Sequence, residues 1–346
     1  MRVVNDERGA VTVLVALLLV PLIGFAALAV DVSSLYQERR TLQNGADAGA
    51  LAVAKNCATA AGCGSSDDTA NTYADQNADD GNHNIDEVCG TGVGLAACTA
   101  PPTVPAGTKY VKVTTSTFDV SSPGNPSEIN FSFAPVLELV APGDYEGETV
   151  RASAVAAWGS PAGASTLPLT FSQCEYQEFV PTPASLQAGP PFTGVESVVS
   201  FHGSAEAGTC TTTPSGQNLP GGFGWLAPNG SCEVPITVGG WAPSSTGVPA
   251  PSCVDLVSLR NTTVLLPIYD LDAGTGNGGQ YRIVGLAAFH LTGYKFTGQD
   301  KWPNNIQCPG TGNSGTCIKG YFTTLSTTGT TFGGPDMGVT IVKLVG

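Results

Sequence analysis

Residues 11–30 read VTVLVALLLVPLIGFAALAV, twenty residues without a charge in which Thr12 is the one polar side chain. A helix of that length rises about 30 Å, which matches the hydrocarbon thickness of a bilayer. Pro21 and Gly24 fit that reading, because membrane helices tolerate both. A cleaved secretory signal is the competing reading, since Ala27-Leu28-Ala29 has the small-x-small form of a cleavage site. The apolar run exceeds the roughly 7–15 residues of a signal core, and the acids Asp6 and Glu7 precede it. The expectation is a permanent single-pass anchor over 11–30, with residues 1–10 as a short cytoplasmic N-terminus. Val339 to Val345 is too short to cross, carries Lys343, and reads as a strand.

Beyond the span the helical reading continues through residues 31–56. Leu35, Leu42, Ala46, Gly49 and Val53 recur on one face, with Arg39 filling the gap. Past Leu42 that face is made of small residues, which let a second helix come close. Gly45 and Gly49 weaken an isolated helix by up to about 1 kcal/mol each, so a packed neighbour is expected. Two neighbours fit: a helix of another chain, or the protein's own outer domain.

The stretch from Glu7 to Ala54 resembles the N-terminal segment of TadG-like Flp pilus-assembly proteins of tight-adherence systems. The residues that carry the resemblance are Arg8-Gly9 before the span, Asp31 after it, and the run YQERR from Tyr36 to Arg40. Leu42-Gln43 and the Ala-rich ADAGALA at 46–52 complete it. More loosely, LRNTTVLLPIYD at 259–270, GTGNGGQYRIVGLAAFHLTGYKF at 274–296 and the Cys308/Cys317 pair resemble actinobacterial relatives of that family. The resemblance implies a single-pass membrane protein tied to assembly or anchoring of Flp pili, with other pilus-assembly or pilin-like membrane proteins as partners. Pilins themselves are cut after a Gly before the apolar run and keep a Glu five residues later; here Gly9 is followed at that distance by Leu14. A permanent anchor is therefore expected, not a polymerising subunit. Some members of the wider family carry an Asp-x-Ser-x-Ser metal motif, but Asp31-Val32-Ser33-Ser34 is followed by Leu35. Asp31 is read instead as a hydrated carboxylate marking the membrane boundary.

Orientation is read from the cysteines. Arg2 and Arg8 precede the span, and Arg39, Arg40 and Lys55 follow it, so charge counting nearly ties. All ten cysteines follow the span, and disulfides persist outside the cytoplasm, so the C-terminal part is placed outside. Spacing suggests three local loops, Cys57/Cys63, Cys89/Cys98 and Cys308/Cys317, with pairing otherwise open. The charge of −14 lies wholly beyond residue 55, where 9 of the 14 bases and 23 of the 28 acids are found. Such a surface repels nucleic acid, which is excluded as a partner; the lipid bilayer is the expected one.

Residues 57–159 read as a small α+β or β subdomain that begins as irregular loop. Asp75, Asn77 and Asp79 sit at i, i+2 and i+4, as at the start of a calcium loop. The Gly such a loop needs is Asp80, and its twelfth position is Asp86 instead of Glu, so a solvated turn is the first reading and calcium the alternative. YVKVTTSTF at 110–118, INFSF from Ile129 and ETVRASAVAAW at 148–158 are strand candidates for a sheet packed on the long helix. SPAGAST at 160–166 marks a boundary, and 160–346 reads as a Gly/Pro-rich β domain without an amphipathic helix. GTGNGG lacks the Lys and Ser/Thr of a phosphate loop and reads as a hairpin. Asp270 and Asp272 read as solvent-facing, and His290 as a satisfied core histidine. No nucleophile, metal or acid–base constellation is present, so no catalytic residue, cofactor or enzyme activity is expected. The fold class is one transmembrane helix running into a juxtamembrane helix, then a mainly β extracytoplasmic region with a small α+β subdomain. A pilus-assembly component is the first functional reading; a membrane-tethered adhesin or binding module is the second.

Overall fold

The structure is a computed structural model and describes residues 8–59, 62–77, 83–118, 127–133, 135, 147–200, 223–229, 233–245, 257–274, 278–296, 301–308, 316–327 and 331–346. Its first element, α1 (Arg8–Cys57), is one unbroken helix of 50 residues, with Pro21 inside it. The first half touches little else: Leu17 and Phe25 are both 71% exposed. From Leu42 onward one face of the same helix is buried, with Ala46, Ala50, Val53 and Ala54 fully covered. An apolar surface that the chain does not cover needs another cover, and α1 is long and apolar enough over this half to cross a membrane.

The covered half of α1 packs against a second helix, α2 (Ser66–Asp75), and a sheet. The strands are β1 (His83–Gly90), β2 (Lys109–Thr117) and β3 (Arg151–Gly159). Further along come β4 (Leu169–Ser172), β5 (Ser197–Ser200), β6 (Phe223–Trp225), β7 (Thr263–Ala273) and β8 (Gln280–Lys295). The last are β9 (Cys317–Thr323), β10 (Leu325–Thr327) and β11 (Val339–Leu344). The first sheet runs β1-β2-β3-β11-β10. On its helix side Val111, Val113, Ala154, Ala156 and Trp158 meet Ala46, Ala50, Val53 and Cys57 of α1. Alternation supplies this: successive strand residues point to opposite faces, so Tyr110, Val155 and Ala157 form a separate cluster on the other side. The alanines of β3 keep that face flat enough for a helix to lie close.

One hydroxyl locks the register of α1 on the sheet. Thr115 is fully buried, and its Oγ1 donates to the carbonyl oxygen of Leu42 at 3.0 Å. Replacing Thr115 with Val keeps the volume and removes the donor. The Leu42 oxygen keeps its intrahelical partner, so the expected loss is about 1 kcal/mol, read as a lowered unfolding midpoint.

Three expectations need correcting here. Residues 56–108 are not simply loop, because they contain α2 and β1. Among the described residues the INFSF run does not join the main sheet; Ile129–Asn130 pairs with Gly147–Glu148. The span 160–346 does not stay apart, because β10 and β11 return to the first sheet and β11 pairs antiparallel with β3. The reason is an open edge: without β11 the ladder groups of β3 and the buried face beside Trp158 have no cover.

Among the described residues the second sheet runs β5-β9-β8-β7-β4-β6, with Trp241–Pro243 and Lys301–Trp302 also pairing on β8. β7 and β8 form the hairpin expected around GTGNGG, Ala273 facing Gln280. Phe171, Phe289 and Phe322 meet edge-on or tilted in its core, with ring centroids 5.0–5.7 Å apart. A short helix, α3 (Gln173–Phe179), lies against this sheet, its first turn capped by the Ser172 side chain accepting from the Cys174 N–H. That helix was not expected in the second half. Its seven residues are too few to display a helical period.

Candidate functional site

Asp31 and the helix-packing residues singled out from the sequence lie on α1 from where it leaves its apolar half. Asp31 is the first charged residue after Val30, and it is not hydrated: it is 4% exposed. Its carboxylate accepts the backbone N–H of Ser132 at 3.0 Å and that of Phe133 at 3.1 Å. Two amide donors replace the water that a boundary carboxylate would otherwise keep, and a charged acceptor makes these bonds stronger than neutral ones. Asp31 thus corrects the hydrated-marker reading and pins a distant loop to the end of the apolar segment. Sequence reasoning found the residue and missed its role, because its partners lie 101 and 102 residues away.

The face predicted for helix packing is used within the chain. Leu42, Ala46 and Val53 are buried, Gly49 sits against Ala70, and Leu35 is half-buried. Gln43 Nε2 adds a polar tie, donating to the Ser153 carbonyl at 3.2 Å and to Asp47 Oδ1 at 2.8 Å. The opposite face is open. Val32, Tyr36, Arg40 and Asn44 recur every fourth residue and are exposed, Tyr36 by 67%. Next to the buried face, Arg151 Nε reaches Asp86 at 3.1 Å and Lys112 reaches Glu87 at 3.0 Å, fastening β1 to its neighbours.

The cysteines act as staples. Cys57–Cys63 closes the turn after α1, Cys89–Cys98 closes the loop after β1, and Cys308–Cys317 ties the start of β9. Cys174 is disulfide-bonded too, and no described cysteine is free. Cys210, Cys232 and Cys253 lie outside the described residues.

Of the suggested calcium residues, Asp75 and Asn77 each have other partners. Asp75 ends α2, with Oδ1 3.4 Å from His83 Nδ1 and Oδ2 accepting from Asn71. Asn77 Nδ2 donates to the Tyr73 carbonyl, and Asp79 lies outside the described residues. No group of three or more His, Cys, Asp or Glu placed to hold a metal occurs among the described residues. Asp270 is not solvent-facing: its carboxylate takes Arg282 Nε at 2.8 Å and a second bond from Arg282 Nη2 across the β7–β8 hairpin. His290 is half-buried, with Nδ1 3.2 Å from Thr263 Oγ1 and the Phe192 ring 4.6 Å away. Burial holds its pKa below the ordinary histidine value.

No curated protein and no solved structure matches the chain. What it shares with a known family is the helix just described: residues 9–56, nearly all of α1, match the family model for putative Flp pilus-assembly TadE/G-like proteins.

Proposed function

We propose that the protein is a non-enzymatic, membrane-anchored component of Flp pilus assembly or anchoring, of the TadG-like type. Residues 1–10 would lie in the cytoplasm and the disulfide-bonded head outside. The observation that carries this is the match over 9–56, which spans both the apolar half of α1 and its head-bound half. The paired cysteines support an oxidising compartment for the head. Pilin-like membrane proteins of the same system would meet the open face of α1, at Val32, Tyr36, Arg40 and Asn44, because the other face is occupied by the head.

The test uses wall-stripped cells carrying the full chain with a C-terminal tag and a photocrosslinker in place of Tyr36. The expected result is a full-length membrane protein whose tag is removed by added protease, with Tyr36 crosslinks to small helix-first pilus proteins. A protected tag reverses the orientation. A soluble protein cleaved after Ala29 makes the segment a signal peptide and favours a secreted binding module. A membrane protein with an accessible tag and no pilus-protein crosslink favours a tethered adhesin.

A further inference from the structure

We propose that the turn ending at Phe133 is a second membrane contact, an aromatic foot that Asp31 holds in the bilayer interface. The inference rests on the reading that residues 11–30 span the bilayer. Asp31 follows directly on Val30, where the apolar run ends. Side chains on a helix lean toward its N-terminus, so the carboxylate points back to the span. The Ser132 and Phe133 amides bonded to it are therefore held level with the last turn of the span. The Phe133 side chain starts from that level and is 45% exposed.

Among the head phenylalanines whose side chains are described, Phe133 is the exposed one; the others are buried or half-buried. In water an exposed phenylalanine ring beside the end of an uncovered apolar helix is an unfavourable surface. At a bilayer interface such a ring buries its apolar surface at the headgroup/acyl boundary, as the apolar side chains of interfacial segments do. Continuity decides the occupant: Phe133 is held where the uncovered apolar surface of α1 stops, so one lipid surface covers both. A helix alone leaves the head free to tilt and rotate about its anchor. A second contact off the helix axis limits that freedom and sets which face of α1 is turned toward neighbours in the membrane plane.

The experiment places benzoylphenylalanine at position 133 of the full chain, reconstituted in vesicles of phosphatidylcholine and phosphatidylglycerol. Phospholipid adducts are read by mass spectrometry after illumination. The same probe at Phe25 reports the span, and at Val195, which is 95% exposed, it reports the distal head. The expected result is an adduct at 133 several-fold above that at 195, lost to the level of 195 when Asp31→Ala removes the tether. Intact Cys57–Cys63 and Cys89–Cys98 bonds in that variant show that the head is folded, and Asp31→Asn, which keeps an acceptor oxygen, is expected to retain part of the adduct. An adduct at 25 with none at 133 overturns the foot and leaves the spanning reading standing. No adduct at 25 overturns the spanning reading and the foot with it. An adduct at 133 that persists in a correctly disulfide-bonded Asp31→Ala protein overturns the role of Asp31.

Discussion

A chain ending at Gly338 is expected to reach the membrane but to lose the fold of its membrane-proximal head. The missing strand, β11, lies against β3 with Ile341 to Leu344 facing Gly159 to Ala156, and it carries β10 on its other side. Val339 and Ile341 are fully buried. Losing the burial that side chains of that size supply costs about 1.5–3 kcal/mol each, before the ladder hydrogen bonds are counted. The loss reaches about 5 kcal/mol, the lower end of a whole domain's stability. Met337 stays, so the Phe171–Phe289–Phe322 core of the second sheet keeps its cover. Limited proteolysis is therefore expected to cut first between β1 and β3, with the fragment around β7 and β8 surviving. A truncated protein as protease-resistant as the full chain would show that β11 is an ornament on a sheet stable without it.

What the sequence made legible follows from what each signal reports. Twenty uncharged residues define an apolar helix wherever the rest of the chain lies, and the small-residue face after Leu42 announces a close neighbour. Neither says which neighbour. α2 fills that place, yet its core contribution is Ser66, Ala70 and Ala74, a face too small and weakly apolar to register as amphipathic. β11 was legible as a strand because VTIVKL alternates; its destination was not, because a period of two carries no information about the partner. Asp31 is the sharpest case. A carboxylate beside an apolar span reads as solvated, and only the fold shows two amides from far along the chain taking the place of water. The same holds for Asp270, whose partner Arg282 is reached only across the hairpin.

Gly49→Leu is expected to separate the two helices, at a cost of about 3 kcal/mol, the upper end of overpacking losses. A β-carbon at Gly49 already stands 3.2 Å from the Ala70 carbonyl oxygen and 3.4 Å from its α-carbon. Both are backbone atoms, so no side chain can swing aside, and three further carbons have nowhere to go. Gly45 is the contrast. Its β-carbon would meet the Ala74 methyl at 3.4 Å, ordinary contact, so Gly45→Ala is expected to be neutral or to gain up to about 1 kcal/mol from helix propensity. Hydrogen exchange in detergent distinguishes the two: Gly49→Leu frees the α2 amides while the apolar half of α1 stays protected, and Gly45→Ala changes neither. Equal stability of Gly49→Leu and the native chain would mean that the helices do not meet at backbone distance. In that event the small face of α1 would be available to another helix, and the partner would no longer be confined to the side bearing Tyr36 and Arg40. The glycine is thus where the fold of the head and the choice of membrane neighbour become one question.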